Sequence, residues 1–532
     1  MEHRPQVDVA IVGAGFAGMY MLHKAREAGF SAQVIEAGGG VGGTWYWNRY
    51  PGARCDVESM EYSYGFDEDL QQEWEWSERY APQAEILSYA NHVADRFDLW
   101  RDIRFDTRVT AARFDEADCT WQVETDAGDS ITSRFIVMAT GCLSTANIPQ
   151  IEGAESFAGR SYHTGQWPHD GVDFTGLRVG VIGTGSSAVQ SIPLIAEQAS
   201  HLTVFQRTPT YTVPAWNRPM DPVEQKEIKA IYPALRAANK RSTSAFGGLQ
   251  PRNDVSALAV SDDERIAEYE RRWATGGLMF LGAFNDLLLD PEANETARRF
   301  VIGKLHEIVE DPVVAAKLTP DQVIGCKRLC VDSGYWATFN RPNVTLVDLR
   351  ESPIEAITAQ GIRTTEQEHR LDVIVYATGF DAMTGALARI DIRGRGGRAL
   401  AEAWEAGPRT YLGLMVAGFP NLFVITGPGS PSVLANMMEA IPQHVDWIAG
   451  CLEHLRANDH RAIEATAGAQ DQWVDYVNGV AGVTLFPTCN SWYLGANVAG
   501  KKRVFMPLPG FPTYVQQCEE IVAAGYRGFA LT

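Results

Sequence analysis

Two short glycine clusters carry the most specific chemistry in this chain of 532 residues. The first, Gly13-Ala14-Gly15-Phe16-Ala17-Gly18, follows the apolar run Val7-Asp8-Val9-Ala10-Ile11-Val12 and opens a segment with helical spacing. In that setting the glycines allow a tight turn, close approach of the backbone to a pyrophosphate, and close helix–strand packing. Glu36 lies 23 positions after Gly13, where a carboxylate would accept from a ribose 2′-hydroxyl. The second cluster, Gly183-Thr184-Gly185-Ser186-Ser187-Ala188, ends in alanine, a tolerated form of the same fingerprint. Counting 23 from Gly183 reaches Gln206, beside Arg207. An acid there would repel a 2′-phosphate, whereas a guanidinium pairs with it through two charge-assisted hydrogen bonds. The two sites therefore have opposite 2′ chemistry, which implies electrons passing from NADPH to FAD.

The elements that must position these clusters are legible around them. Residues 7–12 read as a buried parallel strand, Phe16 to Ala28 as a helix stopped by Gly29, and Ala32 to Glu36 as the next strand. The order returns at Arg178 to Ile182, a helix over Gly183 to Gln190, and a strand over Leu202 to Phe205. Phe135 to Gly141 and Leu371 to Phe380 are similar strand-to-glycine runs, each expected to close one nucleotide-binding sheet. The expected fold is α/β, with two Rossmann-like dinucleotide-binding domains. Residues 1–145 and 380–532 would form a discontinuous FAD domain around an NADPH domain at 146–379. Between about 215 and 325 the chain is rich in Glu, Lys, Arg and Ala at helical spacing, which predicts a mostly helical insertion in the NADPH domain.

Composition removes other classes. A chain this long with 45% hydrophobic residues exceeds one small domain. With 46 basic and 66 acidic residues the net charge is −20, so the field that draws phosphate backbones is missing and nucleic acid is not an expected partner. The run Arg393-Gly394-Arg395-Gly396-Gly397-Arg398 reads as a solvated turn. No basic-then-apolar leader and no bilayer-length apolar run stands out, so a cytoplasmic protein without membrane contact is expected. The eight cysteines show neither CxxC spacing nor zinc knuckles; Cys326 and Cys330 are the closest pair. They read as reduced thiols, with no metal site. Asn294-Glu295-Thr296 and Asn343-Val344-Thr345 match the glycosylation pattern by chance.

Two further stretches are too particular for ordinary loops. Gly42-Gly43-Thr44-Trp45-Tyr46-Trp47-Asn48-Arg49-Tyr50-Pro51-Gly52-Ala53-Arg54-Cys55-Asp56 is strongly aromatic. Phe157, Gly159, His163, Trp167 and Pro168 fit FxGxxxHxxxWP just before the second glycine loop. At these residues the sequence resembles the type I Baeyer–Villiger monooxygenases, and the likeness runs almost end to end. It is strongest toward the phenylacetone and steroid monooxygenases, through Gly427-Pro428-Gly429-Ser430-Pro431-Ser432 and Ser491-Trp492-Tyr493-Leu494-Gly495-Ala496-Asn497.

The resemblance implies an enzyme in which NADPH reduces FAD and dioxygen gives a flavin peroxide. That species attacks a small-molecule ketone, yielding an ester or lactone, NADP+ and water. It implies Arg328 as the active-site arginine and Asp56 as its carboxylate partner. FAD contacts would come from Gly13, Gly15, Ala17, Gly18 and Glu36, from Thr44, Trp45, Tyr46, Trp47 and Asp56, and from Tyr62, Val109 and Met437. NADPH contacts would come from Arg54, from Gly183, Thr184, Gly185, Ser186, Ser187 and Ala188, and from Arg207, Thr208, Lys327, Arg328 and Trp492. Leu143, Phe246, Ser432, Val433, Leu434 and Met437 are candidates for ketone contact. His163 would couple domain positions rather than move protons. His169 departs from the family's usual Asp after Trp-Pro, and no function attaches to it. A monomer or weak homo-oligomer is expected.

Three rival classes meet specific objections. An N- or S-oxygenating flavin monooxygenase shares both glycine loops, but its motif lacks the Trp167-Pro168 ending. A disulfide reductase needs two cysteines near the flavin, typically CxxxxC after the first loop, and only Cys55 lies there. A non-catalytic flavin sensor would need no NADPH site, which Arg207 and Lys327 argue against.

Overall fold

The structure is a computed structural model and describes residues 6–496, 498 and 508–532; Asn497, at the end of one family-like stretch, lies outside them. Its first sheet grows from the strand Gln6–Val12, which pairs in parallel with Ala32–Ile35 on one side and Ser130–Met138 on the other. Val9, Ala10 and Ile11 are fully buried, as expected for a parallel strand covered on both faces. The sheet also recruits distant chain: Leu422–Val424 pairs with Ser130–Met138, and Asp391–Arg393 pairs with Val109–Asp115.

A second, five-stranded sheet is wholly parallel, in the order Val344–Asp348, His201–Gln206, Arg178–Ile182, Val373–Tyr376, Arg160–His163. Each sheet thus has a strand that runs into its own glycine loop. The helix after the first loop spans Phe16–Glu27, and Gly29 beyond it has φ +75°, a left-handed conformation that costs glycine least. The helix after the second loop spans Ser186–Gln198, longer than the sequence signal that ended at Gln190.

From Pro222 to Leu318 the described segments are helices Pro222–Ala230, Tyr232–Arg241, Asp262–Thr275, Pro291–Ile308 and Pro312–Leu318, with short 3-10 turns between them. Their starts follow capping chemistry. Asp290 accepts from the Glu292 and Ala293 N–H groups, with Pro291 at the first helical position, and Ser261 and Glu264 form a reciprocal capping box. The helices and the turns between them pack Tyr269, Phe280 and Phe284 into the same core as the parallel sheet.

The eight-thiol expectation is corrected. Cys326 and Cys489 form a disulfide with Cα atoms 6.3 Å apart, leaving six free cysteines. No spacing in the sequence pointed to a bridge, because the fold brings a residue 163 positions away against Cys326. The Arg393 to Arg398 turn is held by ion pairs of Arg395 with Glu116 and Glu464. Asn294 is buried, with its amide donating to the Leu287 and Ile324 carbonyls. No helix among the described residues is long and apolar enough to cross a membrane.

Candidate active site

Both glycine loops open onto one cavity of about 2080 Å³. Ordinary small-ligand pockets measure roughly 300–1,000 Å³, so this one has room for two dinucleotides and a third molecule. At the first loop Gly13 has φ +105°, and a Cβ there would sit 2.6 Å from the Ala139 carbonyl oxygen. A Cβ at Gly18 would sit 1.8 Å from the Gly13 oxygen, so Gly18 serves helix–strand packing and stays off the cavity wall. Gly15, at the helix start, has no side-chain cap competing for the N-terminal N–H groups. Glu36 is buried, its two oxygens accepting from the Ala14 and Gly38 N–H groups at 2.7 Å each. Burial pushes its pKa up while those N–H groups pull it back, and a carboxylate in this arrangement keeps lone pairs for a ribose hydroxyl.

The second loop repeats the design with a different far wall. Gly183 has φ +111°, and a Cβ there would sit 2.4 Å from the Ala377 oxygen, whereas a Cβ at Gly185 would meet nothing within 4 Å. Gly185 therefore faces open space where a pyrophosphate could approach the uncapped helix start. Ala188 is buried behind it. Gln206 is also buried, with its amide donating to the Lys317 carbonyl at 2.7 Å, so the residue at the Glu36-equivalent position is turned away. Arg207 is exposed on the cavity wall, and Lys327 feels it: burial first, then the Arg207 charge, holds the Lys327 pKa below its usual range. Two cations at one corner of the cavity, with the Asp321 carboxylate as the opposing charge near Lys327, suit a phosphate dianion. Thr208 completes this corner, its carbonyl accepting from the Thr184 hydroxyl at 2.7 Å.

Between the two loops lies the pair Asp56 and Arg328. Arg328 Nη2 is 3.3 Å from Asp56 Oδ2; the carboxylate is 6% exposed and the guanidinium 32% exposed, toward the cavity. Burial raises the Asp56 pKa, with Arg328 and then Gln190 opposing it. For Arg328, burial works against the charge, yet Asp56 together with Tyr493, Cys55 and Cys330 more than offsets it and the guanidinium stays protonated. Gln190 holds the other carboxylate oxygen, donating from Nε2 to Asp56 Oδ1 at 3.1 Å while its own Oε1 accepts from the Tyr50 hydroxyl at 2.8 Å. Arg54, next in the loop, is paired with Glu78 at 3.0 Å. The sequence did not single out Gln190. One signal was available: it stands four residues after Ser186, on the same helix face.

Thr44, Trp45, Trp47, Tyr62 and Val109 line the same cavity. Tyr46 does not; its hydroxyl accepts from the Gly39 N–H at 3.0 Å and its ring packs on Trp47 and His169. That placement turns the Tyr46 side chain away from the cavity and gives His169 a packing partner. Leu143, Phe246, Val433, Leu434, Met437 and Trp492 lie on the cavity wall. Ser432 does not: it is fully buried and donates to the Thr426 carbonyl at 3.1 Å, behind the wall.

The five fixed FxGxxxHxxxWP residues do not line the cavity, although Gly165 and Gln166 between them do, and Thr164 lies 3.2 Å from Ser187 of the second loop. Gly159 is confined, since a Cβ there would sit 2.4 Å from the Asp372 oxygen and 2.5 Å from the Phe157 ring. Trp167 is buried against Tyr162 and Phe174, and Pro168 continues the turn that Gly171 closes. His163 is buried where the chain crosses between the sheets. Asn147 donates to the Gly379 carbonyl at 2.9 Å and the His163 ring packs edge-on against Phe380. Its Nδ1 accepts from the Gly165 N–H at 3.0 Å, and burial lowers the imidazole to about 4. A neutral ring wedged at the crossing suits mechanical coupling, not proton transfer near neutrality.

Comparison with known proteins agrees with this geometry. A family model described as pyridine nucleotide-disulphide oxidoreductase matches residues 10–272. A solved steroid monooxygenase bound to NADP is 54% identical, with each chain 99% covered and a TM-score of 0.94. A Baeyer–Villiger monooxygenase of Pseudooceanicola batsensis is 41% identical, over 98% of this chain and 95% of that protein. The chain belongs to the Baeyer–Villiger monooxygenases. A phenazine N-monooxygenase of Lysobacter antibioticus is also 41% identical, over 98% of this chain and 97% of that protein. This Baeyer–Villiger monooxygenase is therefore an FAD- and NADPH-dependent oxygenating enzyme, and the disulfide-reductase chemistry in the family model's description has no CxxxxC pair to carry it.

Proposed function

We propose that this monooxygenase inserts oxygen beside the carbonyl of a bulky apolar ketone, cyclic, aryl or steroidal, and that Arg328 and Asp56 form its reactive corner. The observation that carries this is the Asp56–Arg328 contact of 3.3 Å in a cavity shared by both nucleotide loops. In this reading Gly13, Gly15, Ala17 and Glu36 hold FAD on one side, with Thr44, Trp45, Trp47 and Tyr62 around it. Gly183, Thr184, Gly185, Ser186 and Ser187 hold the NADPH pyrophosphate, and Arg207 and Lys327 hold its 2′-phosphate. Bound FAD supplies a two-electron acceptor for NADPH and a centre that activates dioxygen.

The chain's own groups do the rest. Arg328 presents a permanent positive charge where negative charge develops during attack on the carbonyl, and one such preorganised donor is worth about 3–4 kcal/mol of barrier. Asp56, held by Gln190, fixes the direction of that guanidinium. Trp492 and the apolar wall of Leu143, Phe246, Val433, Leu434 and Met437 exclude water, which strengthens the charge further. The domain division at 145/146 and 379/380 belongs to the same proposal, as do a cytoplasmic location and a monomer or weak homo-oligomer.

Incubating the enzyme with NADPH, air and a panel of aryl, cyclic and steroid ketones tests it by product analysis. Esters or lactones are expected; N- or S-oxides from added amines and sulfides, with no ester from any ketone, would favour the reading suggested by the phenazine N-monooxygenase relative.

A further inference from the structure

Glu61 is buried beside the cofactor cavity without lining it. One of its oxygens, Oε1, accepts from two consecutive main-chain groups, the Gly247 N–H at 3.0 Å and the Gly248 N–H at 2.9 Å. These amides belong to the turn that carries Phe246. The turn can hardly be built otherwise: Gly247 has φ +90°, and a Cβ there would sit 2.5 Å from the Met279 sulfur. A Cβ at Gly248 would crowd Asn239 and Leu235 at 2.7 Å each.

The main-chain carbonyl of Glu61 is a second junction. It accepts from Asn436 Nδ2 at 2.8 Å and from Arg236 at 3.3 Å. Asn436 in turn caps the helix Met437–Ala457 and donates its N–H to the Ser244 carbonyl at 2.8 Å. The residue after Glu61 is Tyr62, on the wall beside the first glycine loop, where its hydroxyl accepts from Trp45 Nε1 at 3.2 Å. One residue thus ties together Tyr62, Phe246 and Met437, three cavity positions from three remote parts of the chain.

We propose that Glu61 is a positioning residue that fixes the ketone-binding wall through Phe246 and Met437, setting affinity for the ketone, while Tyr62 beside the flavin keeps its own bond to Trp45. This rests on the assignment of Phe246 and Met437 to the ketone side. What the turn requires is an acceptor oxygen rather than a charge. Burial first, then the nearby Glu58 carboxylate, pushes Glu61 up to about 7, while the Gly248 and Gly247 amides and Arg236 pull the other way. Around neutrality the group is then present in both forms. The other charged groups around it are already committed: Glu58 pairs with Arg79 at 2.8 Å, and Arg236 faces Glu439 at 3.5 Å. Glutamine should therefore replace Glu61, and alanine should not.

The test compares Glu61→Gln, Glu61→Ala and Phe246→Ala with the parent holoenzyme. Glu61→Ala should raise KM for the best ketone of the panel about tenfold, the order of one lost buried hydrogen bond, since the Gly247 N–H loses its acceptor while the Gly248 N–H keeps Asn239 Oδ1 at 2.9 Å. KM for NADPH and bound FAD should stay unchanged. Glu61→Gln should stay within about threefold of the parent, since its amide oxygen can accept both N–H groups. Independently of turnover, amide hydrogen exchange of residues 245–249 should accelerate in Glu61→Ala and not in Glu61→Gln. If Phe246→Ala leaves ketone KM unchanged, the assignment of the ketone wall is at fault. If Phe246→Ala raises KM while Glu61→Ala changes neither KM nor exchange of the turn, the role of Glu61 is overturned. Loss of FAD from Glu61→Ala would overturn it as well, because the residue would then belong to the flavin cradle.

Discussion

Gln190 reaches Asp56 across a separation of 134 residues, its Nε2 standing 3.1 Å from Oδ1 of the carboxylate. The bond joins the helix that begins at the second glycine loop to the loop that carries Asp56. Arg328 occupies the other oxygen, so the carboxylate is held from two sides. Replacing Gln190 by alanine removes one of the two supports and leaves the ion pair. The expected result is a fall of about five- to tenfold in ester formed per NADPH consumed, the order of one buried hydrogen bond, with FAD content unchanged. Unchanged coupling would mean that Arg328 alone orients Asp56.

Arg207→Ala tests coenzyme choice. Two charge-assisted hydrogen bonds to a 2′-phosphate would be lost for NADPH and none for NADH. At about 1.5–3 kcal/mol for such bonds, KM for NADPH should rise roughly 10- to 100-fold while KM for NADH stays within about twofold. Equal efficiency of the parent enzyme with both coenzymes would contradict the assignment.

Buried neutral histidines set the acid limit of the fold. His444 Nδ1 accepts from the Thr426 N–H at 2.8 Å and its Nε2 faces the Tyr514 hydroxyl at 2.9 Å, so its site holds the neutral ring. Burial lowers His444 to about 3 and His163 to about 4, against 6.5 ordinarily. A base whose folded pKa is depressed takes up fewer protons folded than unfolded, so this stability is complete above about 6.5 and is lost as pH falls toward 4. The thermal midpoint should drop between pH 7.5 and pH 5, by the equivalent of about 1–3 kcal/mol for each ring. His163→Gln should flatten that fall, slow turnover and retain FAD. Loss of FAD on purification would place the histidine in the flavin cradle instead.

The Cys326–Cys489 bridge predicts six titratable thiols in the denatured, unreduced protein and eight after reduction. Reduction should also lower the thermal midpoint, since bridging remote segments typically contributes about 2–4 kcal/mol. Eight thiols before reduction would contradict the bridge.

What the sequence revealed and what it hid divide along physical lines. Gly13 and Gly183 were legible because a tight turn between strand and helix is a local demand, satisfied by residues a few positions apart. The helical insertion was legible from its charged residues at helical spacing. Gln190, Glu61 and the Cys326–Cys489 bridge were not, because each acts on a partner more than 130 residues away. Ser432 and Tyr46 were placed on the wall by family likeness, yet their own side chains turn to Thr426 and to Gly39. Likeness locates a segment; which way a side chain points depends on packing around it.

In the proposed function the Arg328 guanidinium, 3.3 Å from Asp56, makes oxygen transfer to a ketone possible. The most direct measurement is ester yield per NADPH consumed by Arg328→Ala, with Arg328→Lys alongside. Both variants should retain FAD, since Glu36 at the first glycine loop is held by the Ala14 and Gly38 N–H groups and not by Arg328. Both should oxidise NADPH in part, with the electrons appearing as hydrogen peroxide. Ester yield should fall at least about a hundredfold in Arg328→Ala, the order of a lost preorganised donor, and lysine should restore little because it lacks the planar fork. Ester yield near that of the parent enzyme from Arg328→Ala would mean that another group supplies the positive charge.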